Sequence, residues 1–295
     1  MGFWGGGCGV SVKTAGCHLS MFGFGLEPVL STPMSSGVRK AFGFGCGSVL
    51  AIVMVISFVG WALSFMEGTA PIRQLQQIPE DVPPARGAEV PSIDIDAPGR
   101  TSDHLRFWAE PIAQDTGVSA QAIAAYGNAE LVGHQAWPGC NLSWTTLAGI
   151  GQVETRHGTY NGKAFGGSSL DDNGVASPPI IGVPLDGSPG FAEIPDTDNG
   201  ELDGDTEYDR AVGPMQFIPD TWRRLGLDAN GDGIADPNQI DDAALSAANL
   251  LCSDERDLST PEGWTAAVHS YNMSNQYLLD VRDAAASYAL RQPAI

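Results

Sequence analysis

The sequence predicts a mainly α-helical body between residues 101 and 291. Apolar residues recur there at helical spacing, behind residues that cap helix N-termini such as Ser119, Ser143 and Ser274. One long interval differs, because residues 164–209 contain eleven Asp or Glu and many Gly and Pro, but no Lys or Arg. We expect a long irregular acidic insertion at that place in the body.

The first 66 residues predict a membrane segment. Residues 47–66 are apolar and follow a basic pair, Arg39 and Lys40. As a helix, the part from Ser48 to Met66 would span roughly 28 Å, which matches the hydrocarbon core of a bilayer. The charge bias predicts a single-pass cell-membrane protein with residues 1–46 in the cytoplasm and the body outside. The alternative is cleavage after Ala70, which would release the body. Residues 1–33 add nothing to the export signal, so we expect the mature chain to lack them.

Residues 67–100 predict a Pro-rich linker. In polyproline II form, at about 3.1 Å per residue, such a linker is a semi-extended tether between membrane and body. The formal net charge of the chain is −20. This charge argues against a nucleic-acid partner, because phosphate binding needs clustered Lys and Arg.

Two cysteines lie in the body, Cys140 and Cys252. The chain has five cysteines in all, without a C-x-x-C pair or a zinc-site spacing. If the body is exported, the isolated pair predicts one disulfide; in the cytosol the two would be separate core thiols.

Glu154 is the strongest candidate for a catalytic residue. A helix capped by Ser143 and running to about His157 places Glu154 on the same face as the apolar residues of the preceding turns. That face points inward, and loss of water raises the pKa of a carboxyl group. An acid that stays protonated near pH 7 suits general-acid cleavage of a glycosidic bond. Two alternatives are an ion pair with a nearby Arg and a metal-binding E-x-x-H pair with His157, although the sequence has no second such pair.

Two short segments supply further candidate residues. Residues 213–222 predict a turn followed by a short helix, and Met215 and Gln216 lie in the turn, where side chains can face a cleft. Tyr271 and Asn272 lie at the break between the last two helices. An aromatic ring and an amide there suit stacking on a sugar and hydrogen bonding to it. Packing is the alternative for these side chains.

Residues 228–236 resemble the first part of an EF-hand calcium loop. Oxygen donors at positions 1, 3, 5, 7 and 9 come from Asp228, Asn230, Asp232, the Ile234 carbonyl and Asp236. Position 12 departs from the pattern, because Gln239 replaces the bidentate Glu. Asp236, Asp241 or Asp242 would have to complete the calcium sphere. The alternative is an ordinary turn rich in Asp, Asn and Gly.

Together these features resemble a lytic murein transglycosylase of the membrane-bound lytic transglycosylase B type. The resemblance covers about residues 118–288, with the motifs in the family's order. The Glu-Thr-Arg-His-Gly segment at 154–158 resembles the catalytic segment. The other matching motifs are the Gly-Pro-Met-Gln-Phe-Ile-Pro turn, the calcium loop with its Asp-Pro exit, and the closing motif of Tyr271 and Asn272 with Ser274 and Tyr277.

The resemblance implies a lysozyme-like transglycosylase domain. It implies that Glu154 is the sole acid and base, that Gln216 and the closing motif line the sugar cleft, and that calcium is structural. The implied reaction cleaves the β-1,4 bond between N-acetylmuramic acid and N-acetylglucosamine in peptidoglycan and leaves a 1,6-anhydro end. Two alternatives are a lysozyme-type hydrolase with a second carboxylate such as Asp209, and a non-catalytic calcium-dependent wall-binding module.

Overall fold

The computed structural model describes residues 74–159 and 167–294. Within them lie seven α-helices: α1 (Arg106–Thr116), α2 (Ala120–Ala136), α3 (Trp144–Thr155), α4 (Pro219–Leu225), α5 (Ile240–Leu251), α6 (Pro261–Tyr271) and α7 (Asn275–Ala289). The strands are short: β1 (Ser169–Leu170), β2 (Ala176–Ser177), β3 (Ile181–Pro184) and β4 (Arg210–Val212). The predicted mainly α class is confirmed.

Helix α3 is central to the core, because it packs against α2 and α5 and most extensively against α7. Its N-terminus is capped by Ser143, whose hydroxyl accepts the N–H of Thr145. Leu147 and Ile150 of α3 have no exposed surface. Burial of a side chain of that size stabilises a fold by about 1.5–3 kcal/mol. The inward face predicted for this helix is therefore confirmed.

Helix α3 ends two residues earlier than expected. Arg156 and His157 both adopt left-handed backbone conformations, with φ of 52° and 61°. The N–H of His157 donates to the carbonyl of Gly151 at 2.8 Å, a closure typical of helix C-termini. The helix therefore stops directly after the turn that carries Glu154.

The acidic insertion is more regular than the composition suggested. Strand β1 pairs with β2, and β3 pairs with β4, both antiparallel. Between β3 and β4 the chain folds back, so that the N–H of Ile194 donates to Leu185 O (2.8 Å) and that of Asp209 to Ile194 O (3.0 Å). Asp198 and Asp203 are buried and accept backbone N–H groups. Strands of two to four residues are too short to show an alternating pattern in the sequence.

Part of the predicted linker packs on the helical body. Val90 is 7 % exposed and belongs to the hydrophobic core. Arg86 donates to Glu130 Oε1 at 3.1 Å and to Leu142 O at 2.8 Å. Farther back, Gln76 and Gln292 exchange two hydrogen bonds of 2.8 and 3.0 Å. These residues of the predicted linker thus contact the body through scattered apolar and polar side chains, whose partners the local sequence does not reveal.

The predicted membrane segment at 47–66 and the preceding residues 1–46 lie outside the described residues. Among the helices of residues 74–159 and 167–294, none is long and apolar enough to cross a bilayer.

Replacing Val90 by Asp should destabilise the protein by about 3 kcal/mol or more, because a charge would enter the core without a partner. For a body of this size the melting temperature should fall by about 6 °C or more. The matched control is Leu75→Asp, since Leu75 is 48 % exposed. Equal melting temperatures for the two variants, measured by circular dichroism, would show that the segment around Val90 does not pack.

Candidate active site

Glu154 lies in the last turn of α3 with its carboxyl in a largely apolar and aromatic environment. The Tyr277 hydroxyl of α7 donates to Glu154 Oε1 at 2.6 Å. Burial raises the pKa of Glu154 to about 7, and the Tyr277 hydrogen bond lowers it by a smaller amount. Glu154 nevertheless keeps part of its surface exposed, so a ligand can reach it. Near pH 7 this carboxyl group can therefore both donate and accept a proton.

Two stacked tyrosines form the wall beside Glu154. The rings of Tyr271 and Tyr277 are nearly parallel, at an interplanar angle of 8° and a centroid distance of 6.5 Å. The Tyr271 hydroxyl donates to Met215 O at 2.7 Å. Burial, and then the charge of Glu154, raise the pKa of both tyrosines well above 10. Both phenols therefore stay protonated and act as hydrogen-bond donors.

The turn before α4 lies against the end of α3. Thr155 Oγ1 donates to Pro214 O at 2.6 Å. Gln216 has a left-handed φ of 49° and is half-buried, and its Nε2 donates to Gly213 O at 3.0 Å. Met215 has no exposed surface and belongs to the core. The Met215 side chain therefore packs in the core and cannot touch a ligand, as the alternative to a cleft position predicted. The Met215 carbonyl accepts the Tyr271 hydroxyl and so orients that ring.

Asn272 and its neighbour Met273 lie at the surface between α6 and α7. Asn272 is exposed and its Oδ1 accepts the N–H of Ser274 at 2.9 Å. Met273 is 81 % exposed. The structure therefore brings Glu154, Tyr277, Tyr271 and the backbone of Met215 into direct contact, with Asn272 adjacent in sequence to the tyrosine wall.

His157 joins three helices, a role that we did not predict from the sequence. It is 4 % exposed, with Nδ1 3.1 Å from the Tyr126 hydroxyl and Nε2 2.8 Å from the Tyr288 hydroxyl. Tyr288 donates its proton to Gln152 Oε1 at 2.9 Å, so its oxygen accepts from Nε2–H and Nδ1 accepts from Tyr126. Burial lowers the pKa of His157 to about 3, and the ring is neutral at pH 7.

The hydrogen bonds of His157 argue against the alternative in which Glu154 and His157 bind a metal. Both ring nitrogens are engaged by tyrosine hydroxyls in a fully enclosed site, so neither is available to a metal. Gly151 is part of the same arrangement, because a Cβ atom there would collide with the Tyr126 hydroxyl. The sequence shows a histidine about one turn after Glu154 and tyrosines on apolar helix faces. These features alone do not predict that the histidine and the tyrosines contact one another.

Hydrogen bonds join residues of the predicted calcium loop to one another. Asp228 accepts the N–H groups of Gly231 and Gly233 at 2.8 Å each. Gly233, at position 6, has the left-handed φ of 90° that the sharp turn of such a loop requires. Asn230 Nδ2 donates to Asp232 Oδ2 at 3.0 Å. The side chains at positions 1, 3 and 5 are thus held on one turn by hydrogen bonds, and their oxygens are of the hard donor type.

Asp242 is the acidic residue after position 9 that faces this loop. Its carboxylate accepts the N–H groups of Ala229 (2.8 Å), Asn230 (3.2 Å) and Asp236 (2.9 Å). Asp241 instead pairs with Arg100 at 2.7 Å. The Gln239 side chain caps α5 by accepting two backbone N–H groups, so it does not reach into the loop. Asp236 accepts the N–H of Asn238 at 2.9 Å.

Asp209, the second carboxylate of the hydrolase alternative, is committed within the insertion. It has no exposed surface, and its two oxygens accept the N–H and the hydroxyl of Thr197, each at 2.8 Å. Its carboxylate lies within 4.8 Å of those of Asp196 and Asp198. Asp209 is therefore held by Thr197 inside the insertion.

Comparison with known families identifies part of this region. A family model described as "Transglycosylase SLT domain" matches residues 198–287. The matched stretch contains the turn with Gln216, the Asp228 loop and all three residues Tyr271, Asn272 and Tyr277. It supports a lytic transglycosylase family, peptidoglycan as substrate and a lysozyme-like helical fold. No curated protein and no solved structure matches the chain significantly.

Replacing Tyr277 by Phe should raise the pKa of Glu154 above 7, because the carboxylate loses a donor that favours its charged form. A lost hydrogen bond of about 1 kcal/mol corresponds to somewhat less than one pKa unit. Tyr271→Phe is the matched control, since that hydroxyl donates to Met215 O instead. The pKa is measured by NMR titration of ¹³C-labelled glutamate. A Glu154 pKa that is unchanged in Tyr277→Phe, or raised equally in the control, would contradict this assignment.

Proposed function

We propose that this protein is a peptidoglycan lytic transglycosylase that uses Glu154 as its only general acid and base. The observation that carries the proposal is the environment of Glu154. Its carboxyl is buried at the end of α3, has a pKa raised to about 7, and accepts the Tyr277 hydroxyl at 2.6 Å. Glycoside hydrolysis ordinarily uses two carboxylates, whereas intramolecular attack needs one. The transglycosylase match supports the same reaction class.

The proposed reaction has two proton transfers at one carboxyl group. Protonated Glu154 donates to the oxygen of the β-1,4 bond between N-acetylmuramic acid and N-acetylglucosamine, and the bond from C1 to that oxygen breaks. The resulting carboxylate then takes the proton of the C6 hydroxyl of the muramic acid residue, whose oxygen bonds to C1. An attacking group tethered to the ring has an effective molarity of about 10⁵ M or more, so it competes with water. The Tyr277 donor stabilises the carboxylate between these steps.

The remaining site residues would position the glycan strand. Tyr271 and Tyr277 present a rigid aromatic wall beside the acid, and exposed Asn272 provides an amide next to it. Half-buried Gln216 is fixed by the Gly213 carbonyl, which leaves its Oε1 as an acceptor for a sugar hydroxyl. Met215 contributes through its carbonyl rather than its side chain.

We also propose that the body acts outside the cytoplasm, anchored by residues 47–66. Cys140 and Cys252 form a disulfide with Cα atoms 5.3 Å apart. Stable disulfides occur mainly in extracytoplasmic compartments. The apolar run and its basic flank supply the independent support from the sequence.

We propose that calcium binds the Asp228 loop as a structural ion. Asp228, Asn230, Asp232, the Ile234 carbonyl and Asp236 are the expected ligands. The hydrogen bonds that Asp242 accepts from the loop support it, among the nearby acids, as the residue that takes the place of the bidentate Glu. The ion would neutralise the loop and fix it against the start of α5. It has no part in the proton transfers.

Digestion of purified peptidoglycan tests the reaction. The dominant products should carry 1,6-anhydro ends and be about 18 Da lighter than hydrolytic fragments, because intramolecular attack adds no water. Glu154→Gln should reduce turnover by about 10³-fold or more, since the amide cannot transfer the proton. Glu110→Gln, at an exposed position, should leave it unchanged. Mass spectrometry showing mainly reducing ends would instead establish a hydrolase, and wall binding without turnover would establish the non-catalytic module.

Calcium should raise the melting temperature of the wild-type protein, because it binds the folded loop and not the unfolded chain. At about 100-fold excess over Kd the gain is about 2.7 kcal/mol, or roughly 5–10 °C. Asp232→Ala should lose this response, while Asp172→Ala, an exposed residue of the insertion, should keep it. Identical melting of the wild type in calcium and in chelator would show that the loop is an ordinary turn.

A further inference from the structure

A cavity of about 470 Å³ lies within the insertion. One wall consists of Pro178, Pro179, Ile180, Ile181 and Gly182, at and before the start of β3. The lining also includes Ser168, Asp203, Gly204, Asp205 and Arg210. The cavity therefore combines an apolar segment with charged side chains.

This cavity adjoins the turn that carries Gln216. A Cβ atom on Gly182 would lie 3.1 Å from Gln216 Oε1, so the end of the cavity and this amide are in van der Waals contact. Strand β4 leads directly into the same turn, where Val212 and Phe217 exchange backbone hydrogen bonds of 2.8 and 3.0 Å. A glycan strand bound at Gln216 therefore has the cavity beside it.

Among the charged side chains of the lining, Arg210 has free hydrogen-bond donors. Arg210 donates from Nε to Asp205 at 2.8 Å and from Nη1 to Gly182 O at 3.2 Å, and Nη2 pairs with the same Asp205 oxygen at 2.8 Å. Two of its five N–H groups have no partner among residues 74–159 and 167–294. Asp203 is buried and accepts the N–H groups of Asp205 and Arg210. The guanidinium can therefore bind a carbonyl or carboxylate of a ligand.

The chemistry of the cavity suits a peptide better than a sugar. A sugar ring presents a hydroxyl on nearly every carbon and needs many polar partners when it is bound. The proline and isoleucine wall offers few such partners but suits methyl groups and an aliphatic chain. Peptide carbonyls and carboxylates match the free donors of Arg210.

We propose that this cavity binds the peptide stem of peptidoglycan, the branch attached to the lactyl group of N-acetylmuramic acid. The inference rests on the proposed function, because it assumes that a glycan strand passes Gln216. The apolar wall would contact the alanine methyl groups, and Arg210 would contact a carbonyl or carboxylate of the stem. The cavity would thus make the enzyme prefer strands that still carry peptides.

The test compares peptide-bearing glycan strands with the same strands stripped of peptides by an amidase. Wild-type kcat/KM should be about tenfold higher on peptide-bearing strands, the factor expected for about 1.4 kcal/mol of side-branch binding. Pro179→Trp fills the exposed edge of the apolar wall and should lower that ratio to near one. Pro189→Trp, exposed in the same insertion but away from the cavity, should keep it. The melting temperature of each variant reports whether it has folded.

A second measurement separates this inference from the proposed function. Calorimetry with the tetrapeptide stem released by amidase should show binding to the wild type and Pro189→Trp, and weaker binding to Pro179→Trp. Equal kcat/KM on both strands would overturn the peptide site while leaving the transglycosylase in place. If neither strand is cleaved, the proposed reaction is wrong. The peptide site is then judged by calorimetry alone: weaker stem binding by Pro179→Trp than by Pro189→Trp supports it, and equal binding overturns it.

Discussion

The packing of α3 against α7 is the constraint on which the rest of the described structure depends. Two hydroxyls of α7, from Tyr277 and Tyr288, bond to Glu154 and Gln152 of α3. The two tyrosines are separated by about three helical turns, so they lie on one face of α7, and both bond to the C-terminal turn of α3. Through His157 the same network reaches Tyr126 of α2. The position of the acid is thus set by three helices that are distant in sequence.

Local chemistry made much of this arrangement predictable. Ser119, Ser143 and Ser274 cap α2, α3 and α7 as their sequence positions suggested, because a hydroxyl before an apolar period satisfies N–H groups that have no helical partner. The inward face of α3 followed from its spacing, and the raised pKa of Glu154 followed from that face. Each of these inferences needs information from one segment of the chain.

Features that join distant segments were not predictable in this way. Met215 packs in the core, and its carbonyl accepts a hydrogen bond from Tyr271 at the end of α6. His157 is enclosed because Tyr126 and Tyr288 approach it from α2 and α7. Val90 belongs to the core although its segment resembles a linker in composition. Periodicity and capping describe neighbours along the chain, whereas these contacts depend on the completed fold.

The disulfide has a consequence for when this protein becomes fully stable. Cys140 and Cys252 are 112 residues apart, and the loop they close contains α3, the insertion and the Asp228 loop. Closing a loop of that length contributes about 4–5 kcal/mol in the chain-entropy model, a large share of the 5–15 kcal/mol typical of whole domains. A newly made chain in a reducing cytosol would lack this contribution. Under the proposed export, oxidation of Cys140 and Cys252 would act as a maturation step, and the body would gain its full stability only after that oxidation.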